Sequence, residues 1–194
     1  MPRTKGPSTG YREKIIQGAS KLIIEKGVAN TSLADIALRV GISKGTLYYY
    51  YRSKGELVFD ISERHMEYVS NKIFNWIDQS GVGLTAREIV RLFFKTIVSS
   101  ETKGHIHVYL IQEALTDNTS LKRRFVEAYS YWTKLIEDGL ERIMPPGRDY
   151  SILARMILAC VDGLLLQQLL GVEDVHLDEI TRYLMSIEAP QREE

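Results

Sequence analysis

The 194 residues hold a single cysteine, Cys160. No internal disulfide can brace such a chain, and the apolar neighbours of Cys160 make it a small core residue rather than a reactive thiol. Basic residues open the N-terminus without an apolar run behind them, so no secretory leader is expected. Long hydrophobic runs are lacking too. The most apolar stretch is interrupted by Asp162, Gln167 and Gln168, and no membrane span is expected. Alternating strand patterns are missing, which leaves an all-α fold. Glycine loops that cradle phosphates and nucleophile elbows are also absent. His105 and His107 lie two apart and would diverge on a helix, and Glu173-Asp174-Val175-His176 is a solitary Glu-x-x-His. The pattern is that of a soluble, cytoplasmic protein with no membrane association, no enzymatic role, no metal and no cofactor.

Apolar and charged residues, 44% and 26% of the chain, are at ordinary levels, and the net charge is zero. That zero conceals a division. Residues 1–56 carry ten basic side chains, Arg3 and Lys5 among them, against four acids, for a net +6. The remainder holds 15 basic and 21 acidic residues, a net −6. A basic head on an acidic body points to a polyanion as partner of the head.

Helical periodicity runs through nearly the whole chain. Ile15, Ile16, Ala19, Leu22 and Ile23 form one apolar stripe over 10–26, closed by Gly27. Ser32 and Asp35 have capping-box spacing and predict a helix over 33–40. Gly41-Ile42-Ser43 makes a tight turn, and Ser43 caps a short helix over 44–50. Ser53 and Glu56 open a long helix to about Asp78. A loop over Gln79–Gly83 follows, then helices over 85–101, 105–116, 120–143, 149–170 and 176–187, about nine in all. The division expected is a small basic head over 1–56 and a larger helical body over 57–194.

Two short helices joined by a glycine turn and braced by a third form a helix-turn-helix, whose second helix meets base edges in the major groove. At 100° per residue, Leu47 and Tyr51 pointing inward leave Gly45 and Tyr49 pointing outward, with Thr46 and Tyr48 on the flanks. Gly45 permits close backbone approach, and Lys44 can donate to a guanine edge or a phosphate. The Ser43, Thr46 and Tyr48 hydroxyls suit phosphates. Tyr49 offers the groove floor an aromatic face.

Thr31-Ser32-Leu33-Ala34-Asp35-Ile36-Ala37, then Gly41-Ile42-Ser43-Lys44-Gly45-Thr46-Leu47-Tyr48-Tyr49, then Lys54 and Leu57, resemble the signature of the tetracycline-repressor (TetR) family. The resemblance covers residues 10–60. It implies a homodimer on double-stranded operator DNA, with Ser32, Ser43, Lys44, Thr46, Tyr48, Tyr49 and Lys54 as contacts. Tyr50-Tyr51 departs from the His-Phe of many relatives. Tyr51 replaces a core aromatic and needs a partner for its hydroxyl. Tyr50 joins the DNA-facing candidates as the position where base preference can depart from theirs.

The segment 149–170 is apolar over most of its circumference, and with the 176–187 stripe it suggests pairing with a second copy. Ile157, Val161, Leu164, Leu165, Gln168, Leu177, Ile180 and Leu184 are the candidate dimer contacts. Asp162-Gly163-Leu164 resembles a pattern in the family's penultimate helix. The family commonly holds a small effector in the body, for which Phe94, Tyr109, Gln112, Glu113, Phe125, Tyr129 and Trp132 are candidates. The function expected is a ligand-responsive regulator that represses from a palindromic operator. The competing reading is a structural or partner-recruiting DNA-binding factor, or an activator, of the same fold with no small effector.

Overall fold

A computed structural model describes residues 7–79, 84–116, 118–172, 176–187 and 190–191. Arg3, Lys5, most of the loop after Gln79, and Glu173 of the Glu-x-x-His lie outside them. Among the described residues there are nine helices and no strand. They are α1 (Pro7–Lys26), α2 (Leu33–Val40), α3 (Lys44–Tyr50), α4 (Lys54–Gln79), α5 (Ala86–Val98), α6 (Glu101–Thr116), α7 (Thr119–Ile143), α8 (Ser151–Leu169) and α9 (Leu177–Leu184). The fold is all-α.

Helix ends are set by local chemistry. Asp35 N donates to Ser32 Oγ at 3.1 Å and Ser32 N donates back to the Asp35 carboxylate at 3.0 Å, closing the capping box of α2. The Ser32 hydroxyl, donating to the same carboxylate at 2.7 Å, and then the Ser32 N–H hold the Asp35 pKa below the usual carboxylate range. Gly41 then adopts φ 74°, and Ile42 N reaches Ala37 O at 3.0 Å. That αL stop is natural for glycine and turns the chain into α3. A further box, Thr85 with Glu88, opens α5. The Ser53 box is only half formed, since Glu56 N donates to Ser53 Oγ while the Glu56 carboxylate accepts from Arg52 N.

The chain divides into two compact units, Met1–His65 with His105–Lys122, and Met66–Gly104 with Arg123–Glu194. This partition differs from a cut at 56/57, because most of α6 joins the N-terminal unit. The N-terminal core holds Ile15, Ile16, Ala19, Ile36, Leu47, Tyr51 and Leu57, knitting α1, α2, α3 and the start of α4. The second unit centres on Phe94, Leu140, Ala154, Ile157, Val161 and Leu184. An Arg91–Asp178 ion pair ties α5 to α9 at its surface.

By length and composition α8 could cross a membrane. It carries Asp162, however, and one side of it is core: Leu153, Ala154, Ile157, Leu158, Val161, Leu164 and Leu165 are buried. That is how the core helix of a globular unit behaves.

Candidate nucleic-acid interface and effector cavity

The faces of α3 fall where helical phasing puts them. Leu47 and Tyr51 are 0% and 3% exposed, while Tyr49 is 84% and Tyr48 52% exposed. Lys44 and Gly45 are exposed as well. Tyr50 is half-buried against the core and meets the Tyr49 ring edge-on at 5.3 Å. A seven-residue helix thus turns one side, Lys44, Gly45, Tyr48 and Tyr49, to the outside. Beside α1 a shallow groove is lined by Lys14, Lys21 and Arg39, adding positive charge to the same unit.

Tyr51 finds its partner. Its hydroxyl donates to Asp60 Oδ2 at 2.7 Å, and Arg12 donates both to the Tyr51 oxygen at 3.2 Å and to Asp60 at 2.6 Å. Burial pushes the phenol up to about 12. The triad pins α1, the end of α3 and α4 together behind the exposed face.

The hydroxyls at the helix starts are not equally available. Ser43 Oγ accepts from Thr46 N at 3.0 Å and shares one further hydrogen bond with Thr46 Oγ1 at 2.8 Å. Whichever oxygen donates in that pair, the other keeps a free O–H for an anion. Ser32 Oγ instead donates to the Asp35 carboxylate at 2.7 Å while accepting from Asp35 N. Its one proton is committed. The donors left there are the Leu33 and Ala34 amides of the first turn of α2, which lack intrahelical partners by construction.

Lys54 points inward. Its ammonium donates inward to Val28 O at 3.0 Å and lies 4.7 Å from the centre of the Tyr109 ring. Desolvation lowers its pKa, opposed by the nearby Glu113. The reason is local. Gly55 has no side chain, and the Glu113 carboxylate occupies the place its Cβ would take. Glu113 also accepts from Asn118 Nδ2 at 3.0 Å and from the Tyr109 hydroxyl. Lys54 therefore braces α4 against α6.

The effector candidates divide between the two units, and Tyr129 lines a polar cleft of the second with Asp162. Tyr109 and Glu113 serve this brace, and Gln112, exposed, belongs to the same N-terminal unit. Phe94, Phe125, Tyr129 and Trp132 belong to the other unit. Phe94 is 0% exposed in its core. Phe125, Tyr129 and Trp132 form a row with ring centres 6.1 and 5.4 Å apart, and Tyr129 donates to Asp162 at 2.7 Å. None of the seven lines the apolar cavity of that unit. Its walls come from α4 (Ile73, Phe74, Ile77), α5 (Phe93) and α7 (Leu135, Gly139), with contributions from α8. Phe93 and Phe94 are adjacent, and only their phase on α5 decides which faces core and which cavity.

The dimer candidates sort by burial. Ile157, Val161, Leu164, Leu165 and Leu184 are buried within their own chain, and Leu177 and Ile180 pack against that core. Of the set only Gln168 is exposed. The opposite side of α8 carries the uncovered apolar residues. Ile152 is 61%, Leu166 48% and Leu170 79% exposed, with Met156 in line.

Short α2, a glycine turn and α3 with an exposed polar face define a helix-turn-helix DNA-binding head. The signature described as bacterial regulatory proteins, tetR family, matches residues 15–61, and a BetI-type transcriptional repressor C-terminal signature matches 85–187. The chain belongs to the TetR family of transcriptional regulators. It is 27% identical to the uncharacterized regulator YerO of Bacillus subtilis over 157 residues, which is 76% of this chain but only 53% of YerO. It is 24% identical to TtgR of Pseudomonas putida over 184 residues, 90% of this chain and 88% of TtgR. FadR of Thermus thermophilus, solved with lauroyl-CoA, shares the fold at a TM-score of 0.69 and 20% identity, covering 94% of this chain and 100% of its own.

Proposed function

We propose that this regulator is a homodimeric repressor that binds a palindromic operator and is released by a small effector. The observation that carries the reading is the α3 face, with Tyr49 84% exposed beside Lys44 and Gly45 on a braced helix. In this reading Lys44, Tyr48 and Tyr49 enter the major groove, with Gly45 letting the backbone close in. The Ser43–Thr46 pair and the α2 amides hold phosphates. Tyr50, edge-on to Tyr49, sets the angle of that ring. Two heads related by a two-fold axis give so short a helix useful affinity.

Dimerisation is supported by the uncovered apolar side of α8, a larger run than a monomer needs to expose. An effector is supported by the apolar cavity and by the acyl-CoA bound in the FadR neighbour. The link is α4, continuous from Lys54 in the first unit to Gln79 in the second. A ligand that prefers one setting of α4 weakens operator binding by the difference, about 1–3 kcal/mol or roughly 5–150-fold.

Selection of bound duplexes from a random pool, then footprinting, tests the reading. The expected outcome is an inverted repeat with half-site centres about 34–36 Å apart. Lys44→Ala should weaken selected over random duplex without loss of fold. Indifference to every duplex at low salt would end the proposal. Binding that no apolar ligand alters would favour a regulator without an effector.

A further inference from the structure

We propose that the cavity of the second unit binds an uncharged, mainly hydrocarbon chain molecule, and that Gly139 is the residue that keeps room for it. Only the regulatory consequence rests on the repressor reading; the binding site itself does not.

The lining is the first observation. Ile73, Phe74, Phe93, Leu135 and their neighbours present carbon, and no charged side chain among the described residues lines the space. Its polar residue, Ser70, already donates its hydroxyl to Met66 O at 2.7 Å. An ionised headgroup inside would lose its hydration with nothing to replace it. At the edge of the site, the Phe74 ring lies under the Arg142 guanidinium at 4.7 Å. Arg142 is paired with Asp78 at 2.9 Å on the surface, outside the apolar lining.

Gly139, itself part of that lining, is the second observation. It lies inside the 25-residue helix α7, where alanine is the better residue. Two other glycines within helices, Gly55 and Gly104, are explained by crowding, while Gly163 on the open side of α8 is as unobstructed as Gly139. A Cβ at Gly55 would meet the Glu113 carboxylate, and one at Gly104 would meet Leu169 at 3.1 Å. A Cβ at Gly139 would meet no atom within 4 Å. No close neighbour requires this glycine, and the space it leaves adjoins the cavity it lines.

Size narrows the class. The cavity measures about 60 Å³, well below the roughly 150 Å³ of an engineered apolar cavity that takes benzene. A flexible chain fits such a slot better than a rigid ring system. Its entry displaces the half-buried Phe74 or Phe93, so the ligand favours an expanded arrangement of α4, α5 and α7.

Three probes share one chain and differ in charge: 1-octanol, octanoate and octyltrimethylammonium. Calorimetry on the full protein should show 1-octanol binding with a negative heat-capacity change, and both charged probes binding at least tenfold more weakly. Gly139→Leu should abolish octanol binding. Gly139→Ala, which adds a single methyl, should raise the melting temperature by about 2–4 °C and weaken octanol severalfold. It keeps the test intact if the leucine variant fails to fold. Charged probes that bind as well as octanol, or a folded Gly139→Ala and Gly139→Leu pair with unchanged octanol affinity, would overturn the proposal. Operator binding by the unliganded parent is measured separately. Its absence would count against the repressor reading and leave the octanol result standing.

Discussion

Leu47 and Tyr49 sit two residues apart on a seven-residue helix, one fully buried and the other 84% exposed. Truncating each to alanine should therefore damage different properties. Leu47→Ala empties a site at the centre of the α1–α4 core and should cost about 2–5 kcal/mol of stability. Tyr49→Ala removes a ring whose folded-state contacts are few, chiefly the edge of Tyr50, and should change stability by no more than about 0.5 kcal/mol. Its effect should appear on DNA. A lost aromatic and hydroxyl contact of about 1–1.5 kcal/mol per head doubles across two heads to about 2–3 kcal/mol, or roughly 30–150-fold in affinity. Urea melts and fluorescence anisotropy on a selected duplex, with salt held constant, measure both quantities. Tyr49→Ala protein that binds like its parent, or a Leu47→Ala protein as stable as its parent, would refute the assignment of the two faces.

Three further outcomes follow from contacts described above. Tyr51 has its folded pKa raised to about 12 from 10.0, so the stability it confers is complete below pH 10 and is lost as pH climbs from 10 toward 12. Tyr51→Phe should remove that part of the alkaline loss in melts from pH 8 to 11.5, and cost about 1–2 kcal/mol at pH 7 through the Asp60 bond. Gly55→Ala should displace the Glu113 carboxylate and cost about 1–2 kcal/mol; combined with Glu113→Ala it should cost little more than Glu113→Ala alone, a non-additivity read by a double-mutant cycle. Met156→Glu and Leu166→Glu place charge on the open side of α8 and should shift sedimentation toward the monomer with little change in helicity, whereas dimers that survive both would show that copies meet elsewhere.

Much of this architecture was legible in the residues. Ser32 with Asp35, the Gly41 turn and Ser43 are local signals, and each marks a helix end that the structure shows. The phase of α3 was legible because Leu47 and Tyr51 fix its inner side. Where local pattern is silent, the sequence says less. α8 is apolar nearly all round, so periodicity could not tell the side that packs within its own chain from the side left open. The bond from Lys54 to Val28 spans 26 positions and depends on Glu113 approaching Gly55, a long-range fit that no spacing rule announces. Thr85 with Glu88 was a readable capping box, and Gly139 inside α7 a readable anomaly. Neither was used.

The open side of α8 has one geometric consequence. Ile152, Met156, Ala159, Gly163, Leu166 and Leu170 follow one another at steps of four, three, four, three and four. That is a heptad seam, which drifts only about 20° per seven residues on a straight helix. A second α8 laid along it would cross at a shallow angle near 20°, with knobs entering holes, rather than at the steeper 50° of globin-like packing. Gly163, bare on that seam with no atom within 4 Å of its missing Cβ, would be where the two backbones draw closest.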